Sequence, residues 1–514
     1  MKESQVAPIK TRKATFSQRS SYFDRENELS AVDTFRGFYT LFWIFAAMMG
    51  IRTAVESYDA TGSLLGLTFG RLISRDGVVL AISDAVLVCS TSISFVFIKA
   101  IQHGWIRYNV IGLTIQHIVQ VFFLAIPVFW SCQRNWPWVQ SGFLTLHSLT
   151  MIMKVLIHSY MATNGYFANV LGQIKSLEAQ LANLNASALK ASDEQKVAQD
   201  EEKSGDLKKR KPFSNVKEEE NETNNGVSTP LGSNEIETAD VKDVSEHPLT
   251  HAPNPDIAKV ASEINELKSH ITSQGPSKIS YPNNVTFGNF LDYLLVPTLV
   301  YELEYPRTEK VRLWYVIEKT LATFGTFYIL YVISEHYISP KMPRPEESFA
   351  RTWLDLCIPF LCNYVLLLSF ECICNAFAEL TRFADREFYQ DWWNATTWDQ
   401  FARKWNKPVH MFLLRHSLQT LTNIDVSTIS TYKISKQSAT LLTFLLSALV
   451  HELVMAVVTK KIRMYLFMLQ MAQLPMIAIG RLPVVRRYPA FANMFFWLGL
   501  MSGPPLLAVG YMKY

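Results

Sequence analysis

Residues 438–459 read SATLLTFLLSALVHELVMAVVT, an apolar stretch in which His451 and Glu452 are the ionisable side chains. A run of about 20 apolar residues matches the thickness of a bilayer and predicts a membrane-spanning helix. An ionisable group at that depth is costly unless it is partnered or functional, so His451 is a candidate functional residue. On a helix His451 and Glu452 point about 100° apart, so they cannot share one partner.

The face of this helix that carries His451 is otherwise small or apolar. It also carries Phe444, Ser447, Ala448, Met455 and Val458. Ser447 lies one turn before the histidine and within its reach. A single imidazole in such a wall suits the removal of a proton from a lipid alcohol, because a neutral imidazole is an effective general base near neutral pH.

Similar apolar runs occur along most of the chain. Hydrophobic residues make up 49% of its 514 residues, and charged residues make up 18%, below the roughly 25% usual for soluble domains. Nine runs approach spanning length, namely 38–51, 78–98, 110–130, 138–161, 313–338, 353–377, 438–458, 462–479 and 491–511. We therefore predict an all-α polytopic membrane protein with about nine transmembrane helices. Residues 287–301, broken by Asp292 and Pro297, are predicted to be re-entrant or at the surface.

Charge and cysteine usage exclude some other classes. A net charge of +4 gives no indication of a nucleic-acid partner. The six cysteines lie in or beside apolar runs, with neither metal spacing nor a disulfide framework. No cluster of metal ligands, Gly-rich phosphate loop or G-x-S-x-G motif is found, so no metal site is predicted.

The chain is predicted to have four parts. Residues 1–35 form a polar N-terminus whose Lys and Arg excess predicts the cytosolic side. Residues 36–164 and 286–514 form two transmembrane blocks, the first with about four helices. Between them, residues 165–285 form a polar cytosolic insert that is predicted to be disordered over much of its length.

Heptad-like spacing flanks the disordered part of the insert on both sides. The first set is Ile174, Leu177, Leu181 and Leu184, and the second is Ile257, Val260, Ile264, Leu267 and Ile271. Two short helices with this spacing are expected to pair as a hairpin, to dock on a partner or to rest on the membrane surface.

Residues 388–410 read FYQDWWNATTWDQFARKWNKPVH. Thr397 and Gln400 form a helix-capping signature, and Trp398, Phe401 and Trp405 then fall on one face. This pattern predicts an amphipathic helix that lies in the membrane interface, with or without a role in chemistry.

At these residues the sequence resembles the membrane-bound O-acyltransferases. FYQDWWN (388–394), WNKPVH (405–410) and SALVHEL (447–453) are similar to motifs of the sterol and diacylglycerol acyltransferases, in the expected order. YPRTEKVRLWYVIEKTLATFGT (305–326) and FWLGLMSGPP (496–505) look more like fungal sterol acyltransferases, whereas MAQLP (471–475) also resembles the diacylglycerol enzymes. The resemblance implies a helical fold that encloses a catalytic chamber.

The resemblance also implies an activity: transfer of a fatty acyl group from acyl-CoA to a sterol 3-hydroxyl, forming steryl esters for storage. Fatty acyl-CoA is then a co-substrate, no cofactor is required, and a membrane sterol is the acceptor. Residence as a multi-pass protein of the endoplasmic reticulum membrane, as a homodimer or homotetramer, is implied as well.

Site residues follow from the same resemblance. His451 is the expected base, and Asn406 corresponds to the second catalytic position. Ser447 is expected to orient the ring or the thioester, Lys436 to meet coenzyme A phosphate, and Gln473 to bind the acceptor hydroxyl. The acyl-CoA entrance is expected to involve Tyr389, Asp391, Trp392, Trp393 and Asn394, of which Asp391 has an alternative role in fixing the loop.

Three other functions stay open at this point. A diacylglycerol acyltransferase would use the same chemistry on another acceptor. In a lipid or proton-coupled transporter His451 would be a proton relay, although no inverted repeat with paired broken helices is evident. An acyltransferase for secreted peptides would lack the sterol-type motifs.

Overall fold

The computed structural model describes residues 16–24, 27, 36–64, 70, 74–157, 159–206, 247–250, 252–342, 347–366, 369–415 and 435–513. Within these ranges the elements are helices, accompanied by isolated β-bridges. The chain divides into two compact units, Met1–Asn169 with Thr272–Tyr514 and Val170–Ile271. The second unit falls inside the predicted 165–285 insert.

Up to residue 270, the described part of the chain contains seven α-helices. They are α1 (Arg36–Thr61), α2 (Gly77–Ser90), α3 (Ser92–Gln102), α4 (Leu113–Gln133), α5 (Trp138–Met151), α6 (Tyr160–Asp206) and α7 (Pro255–His270). Short π-helical turns at Tyr108–Gly112 and Ile152–Ile157 precede α4 and follow α5.

From residue 287 onward, the described residues form ten more. They are α8 (Phe287–Leu295), α9 (Leu313–Ile333), α10 (Phe349–Leu366), α11 (Ser369–Leu380), α12 (Trp398–Trp405), α13 (Lys407–Phe412), α14 (Lys436–Thr459), α15 (Tyr465–Gly480), α16 (Pro483–Arg487) and α17 (Pro489–Lys513). The helix α14 contains His451.

Within the described residues, six helical segments are long and apolar enough to cross a membrane. They are Gly77–Gln102, Tyr108–Gln133, Leu313–Lys341, Phe349–Leu380, Gln437–Thr459 and Pro489–Met512. The prediction of an all-α polytopic membrane protein is therefore confirmed, but three of the nine predicted spans, 38–51, 138–161 and 462–479, are not among these six.

A local feature of the chain explains why each of these three runs forms no long apolar helix. The apolar part of α1 is short, and its last turns carry Arg52, Glu56 and Asp59. The run after Trp138 changes to a π-helical turn that contains Lys154. The chain leaves α14 at Lys460 and enters α15 at Met464 with φ of 56° and 61°, so α15 has 16 residues and spans about 24 Å.

The segment 287–301 is partly buried: Phe290 and Tyr293 face the interior of the helical unit, whereas Phe287, Leu291 and Leu295 are exposed. Thr286 caps α8 by accepting a hydrogen bond from Asn289 N at 3.2 Å. Behind α8 the chain is irregular, and Val296 and Tyr301 are fully buried. Lys154 Nζ donates to the carbonyl oxygens of Val296 and Thr298, so a buried cation satisfies backbone groups that have no helical partner.

The two heptad segments of the insert form helices that contact each other. Lys268 Nζ of α7 lies 2.9 Å from Glu178 Oε1 of α6, and Ile174, Leu181 and Ile264 are buried. This favours the predicted pairing. The backbone of α6 stays helical to Asp206, further than predicted, and residues 189–206 are rich in strong helix formers. Residues 207–246 lie outside the described residues.

Glu452 joins three helices. Its side chain is 4% exposed, and its carboxylate accepts hydrogen bonds from Met464 N at 2.7 Å and Phe467 N at 3.1 Å. Tyr511 OH of α17 donates to both carboxylate oxygens at 2.8 Å. The carboxylate therefore satisfies N–H groups at the start of α15, where a negative charge is favourable, and ties α14 to α17.

We predict that Glu452→Ala destabilises the protein by about 2–4 kcal/mol, because each buried donor left unpaired costs about 1–3 kcal/mol. Denaturant unfolding of the detergent-purified protein measures this. Glu56→Ala is the matched control, since Glu56 is exposed and pairs with Arg52 at 2.7 Å. Such a pair contributes about 0–1 kcal/mol. Equal stability of the two variants would contradict the role of Glu452.

Candidate active site

His451 is held by the backbone of its own helix. Its Nδ1 lies 2.7 Å from the carbonyl oxygen of Ser447, one turn earlier. Because a carbonyl oxygen only accepts hydrogen bonds, Nδ1 carries the proton and the neutral ring keeps its lone pair on Nε2. The ring is exposed with respect to the described residues, whereas the adjacent Glu452 is buried. The free nitrogen is therefore a base that a substrate can reach.

Ser447 acts on His451 mainly through its carbonyl group. Its hydroxyl oxygen is 3.5 Å from Nδ1, longer than the carbonyl contact. The expectation that Ser447 orients the ring thus has a geometric basis in the backbone, which any residue at this position would provide.

The segment 388–394 packs into an aromatic cluster. Trp392 is 1% exposed, and its ring centroid lies 4.9 Å from that of Trp405 and 5.7 Å from that of Trp497 in α17. Tyr364 stacks on Trp405 at 4.7 Å, and Tyr389 is buried beside the same ring at 5.6 Å. Tyr389 and Trp392 are thus placed to support the loop, and burial raises the pKa of the Tyr389 hydroxyl above its ordinary range.

Polar contacts fix the rest of this loop. Asp391 precedes a 3₁₀ turn over Trp392–Asn394, and its carboxylate is 3.0 Å from Lys404 Nζ. Asn493 of α17 donates to the Trp393 carbonyl oxygen at 2.9 Å. Asn394 is exposed. These contacts give Asp391 the structural role foreseen as its alternative.

The capping signature before α12 forms as predicted. Thr397 Oγ1 accepts a hydrogen bond from Gln400 N at 3.4 Å, and Gln400 Oε1 accepts one from Thr396 N at 3.0 Å. The apolar face is directed at the protein, since Trp398 and Phe401 lie 5.2 and 5.3 Å from the Phe496 ring. The apolar face of α12 therefore contacts α17, whereas the sequence pattern predicts that this face lies in the membrane interface.

Asn406 stands at the junction of α12 and α13. Its Oδ1 accepts a hydrogen bond from Val409 N at 3.2 Å, which makes it the N-cap of α13. This bond uses the amide oxygen and leaves the two N–H donors of the side chain outside the cap. Lys407 N donates to Phe388 O at 3.0 Å and Gln390 N donates to Lys404 O at 2.9 Å, which bring the 388–394 segment alongside Asn406.

The structure gives less information about the other predicted site residues, Gln473 and Lys436. Gln473 in α15 donates to Gln470 Oε1 at 2.9 Å. The side chain of Lys436, the first residue of α14, lies outside the described residues. The structure brings Tyr389, Asp391 and Trp392 next to the Asn406 junction, and among the described side chains no hydrogen bond links Asn406 to His451.

Residues 16–24 also contact the 388–394 loop. On sequence alone they are assigned to a polar N-terminus and are not placed at the site. Tyr22 and Phe23 contact the Trp393 ring at 5.7 and 6.0 Å. The signal available in the sequence is the aromatic content of FSQRSSYFD within an otherwise polar stretch.

A family model described as MBOAT, membrane-bound O-acyltransferase family, matches residues 105–513. The chain belongs to this family. A probable sterol O-acyltransferase 1 of Schizosaccharomyces pombe is 33% identical over 97% of this chain and 86% of its own length. Sterol O-acyltransferase 2 of Candida albicans is 31% identical over 97% of this chain and 78% of its own length.

The similarity to a diacylglycerol enzyme is less extensive. Diacylglycerol O-acyltransferase 1 of Dictyostelium discoideum is 30% identical over 45% of this chain and 38% of its own length. The resemblance to membrane-bound O-acyltransferases of the fungal sterol type, first drawn from short motifs, is confirmed over nearly the whole chain.

We predict that the capping role of Asn406 can be separated from any catalytic role. Asn406→Ala loses the N-cap of α13 and is expected to destabilise the protein by about 1 kcal/mol, whereas Asn406→Ser keeps a capping oxygen and stability. If the NH2 group is needed for acyl transfer, both variants lose activity although only one loses stability. Unfolding and turnover measured on the same preparations distinguish the two roles, and full activity of Asn406→Ser would contradict the catalytic one.

Proposed function

We propose that the protein is an acyl-CoA:sterol O-acyltransferase that transfers a long-chain fatty acyl group to the 3-hydroxyl of a membrane sterol. The observation that carries this proposal is similarity to fungal sterol O-acyltransferases along 97% of the chain, against 45% for the diacylglycerol enzyme. A base in a membrane helix suits this reaction, because the sterol acceptor arrives from within the bilayer.

In the proposed mechanism Nε2 of His451 removes the proton of the sterol hydroxyl while the sterol oxygen attacks the thioester carbonyl carbon. The C–S bond then breaks, and the imidazolium returns the proton to the coenzyme A thiolate, so that a steryl ester and free coenzyme A result. General-base catalysis of this kind contributes about 10²–10⁴-fold. The carbonyl group of Ser447 holds the ring in the tautomer that the step requires.

Asn406 has the complementary role in this proposal. With its oxygen engaged in the cap, its NH2 group donates to the thioester carbonyl oxygen and stabilises the oxyanion as charge develops. The rigid junction around it favours this role, because such donors act best when they are preorganised.

The acyl donor is proposed to enter beside the 388–394 loop, where Trp393 lines the entrance and the buried Tyr389 and Trp392 support the loop from within. Lys436 is assigned to coenzyme A phosphate and Gln473 to the acceptor hydroxyl. A thioester needs no ATP or metal for activation, so acyl-CoA is a co-substrate and no cofactor is proposed.

The cellular setting is part of the same proposal. The charged head of acyl-CoA requires a cytosolic entrance, which agrees with a cytosolic N-terminus in the endoplasmic reticulum membrane. The protein is proposed to act there as a homodimer or homotetramer.

We predict that the purified protein esterifies sterol from labelled oleoyl-CoA and does not esterify diacylglycerol. Thin-layer separation of the labelled products measures both reactions on one preparation. Esterification of diacylglycerol without esterification of sterol would overturn the assignment in favour of the diacylglycerol acyltransferases, which the MAQLP segment at 471–475 also resembles.

We also predict that His451→Ala lowers turnover by at least about 10²-fold, because the general base is lost. Acyl-CoA binding and stability are expected to be retained, because the ring is exposed and its loss removes no packing contacts. Turnover, coenzyme A binding and unfolding are measured together. His451→Gln is the matched control for shape, and activity retained in either variant would exclude His451 as the base.

A further inference from the structure

Residues Phe16–Asp24, here called the N-terminal strap, run beside the chain that leads into the 388–394 loop. Arg19 N donates to Ala384 O at 3.0 Å, and Arg386 N donates to Arg19 O at 2.8 Å. Arg19 and Asp385 thereby form a parallel β-bridge. The strap is joined to this segment through its backbone as well as through side chains.

Aromatic contacts hold both ends of the strap. At its start Phe16 lies 5.5 Å from the Tyr305 ring and 5.6 Å from the Phe383 ring. At its end Tyr22 and Phe23 contact Trp393, so the strap extends from Phe383 to the 388–394 loop.

Buried polar groups anchor the second half of the strap in the helical unit. Ser21 is fully buried and donates a hydrogen bond to Glu371 of α11. Asp24, 4% exposed, pairs with Arg312 at 2.9 Å, and Arg312 also pairs with Glu379 at 3.2 Å. Releasing the strap would break the Asp24–Arg312 pair and the Ser21–Glu371 hydrogen bond at buried positions, which is a costly change. The strap is therefore a fixed part of the fold.

A series of charges leads from the strap to the Asn406 junction. The Arg19 guanidinium lies 2.7 Å from Asp385 and 3.4 Å from Glu387. Glu387 forms a second ion pair with Lys407, whose side chain is 12% exposed. Partial burial alone would raise the pKa of the Glu387 carboxyl, but hydrogen bonds from Lys407 and Gln390 and the charges of Lys407 and Arg19 hold it below the ordinary value. The carboxylate therefore stays ionised at neutral pH.

Lys407 directly follows Asn406, and its N–H donates to Phe388 O at 3.0 Å. Lys407 is thus held at its backbone by the loop and at its ammonium group by Glu387. Asn406 has the non-helical φ and ψ of a cap, and its own hydrogen bonds run to the first turn of α13, from Val409 N to Oδ1 and from His410 N to its carbonyl oxygen. Its position relative to the 388–394 loop therefore follows from where Lys407, the first residue of α13, is held.

We propose that Arg19 is a positioning residue for acyl transfer and acts on Asn406 through Glu387 and Lys407. The N-terminal strap is then a structural part of the active site. This inference rests on the proposed role of Asn406. A donor displaced by about 1 Å loses up to about 10²-fold in rate. The aromatic and buried anchors keep the strap in place when Arg19 is changed, so the effect falls on turnover.

The test compares Arg19→Ala, Arg19→Lys and the control Arg52→Ala in the full-length protein, each with kcat, both KM values and unfolding measured. Arg52 is an exposed arginine of α1 with its own carboxylate partner, Glu56. We expect Arg19→Ala to lower kcat about 10-fold with KM for oleoyl-CoA and sterol changed less than about 2-fold. Arg19→Lys keeps one cation and is expected to restore most of kcat, and Arg52→Ala is expected to match the parent.

A double-mutant cycle tests the path. If Arg19 acts through Glu387, Arg19→Ala has little further effect on kcat in a Glu387→Gln background. The single variant Glu387→Gln also tests the path by itself if Arg19→Ala fails to fold. Additive effects would overturn the proposed path. A rise in KM for oleoyl-CoA with kcat unchanged would instead make Arg19 a phosphate ligand, and unchanged kinetics would overturn the proposal altogether. A parent protein without sterol esterification would refute the proposed function and not this inference.

Discussion

The rotation of α14 about its own axis is the constraint on which the site depends, and the Glu452 carboxylate sets it. That carboxylate receives hydrogen bonds from the start of α15 and from Tyr511 of α17, so it has one position in the bundle. His451 is the preceding residue and points about 100° away. Burying Glu452 against two helices therefore directs His451 to a different face of α14, on which its ring is exposed with respect to the described residues. The buried anchor Glu452 and the candidate base His451 can be adjacent in sequence because neighbouring side chains of a helix point in different directions.

The second half of the site depends on packing of aromatic rings and on helix caps. Trp392, Trp405 and Phe496 form a core between the 388–394 loop, α12 and α17. The loop and the Asn406 junction follow from that core, since Thr397 begins α12 and Asn406 begins α13. A donor placed at a cap between two short helices has few degrees of freedom, which suits a group that must meet a developing oxyanion.

Buried charge has a structural role across this fold. Lys154 satisfies the carbonyl groups of an irregular segment, and Arg312 joins the N-terminal strap to α11. Each charge is costly alone and is tolerated because its partners are fixed. Such pairs explain why a polar N-terminal segment and a span interrupted by lysine are parts of the helical unit.

The sequence by itself determined the helical membrane class, the position of the candidate base, the capping signature at Thr397 and the family. These properties depend on composition, periodicity and short motifs, which are local in the chain. Tertiary structure alone decided that Glu452 is an anchor, that the face of α12 packs on α17 and that residues 16–24 lie against the loop. Those facts depend on contacts between residues far apart in sequence, for example Arg19 and Asp385. The count of spans also needed the structure, because left-handed backbone at Lys460 and Met464 and the π-helical turn at Lys154 shorten helices that hydropathy alone extends.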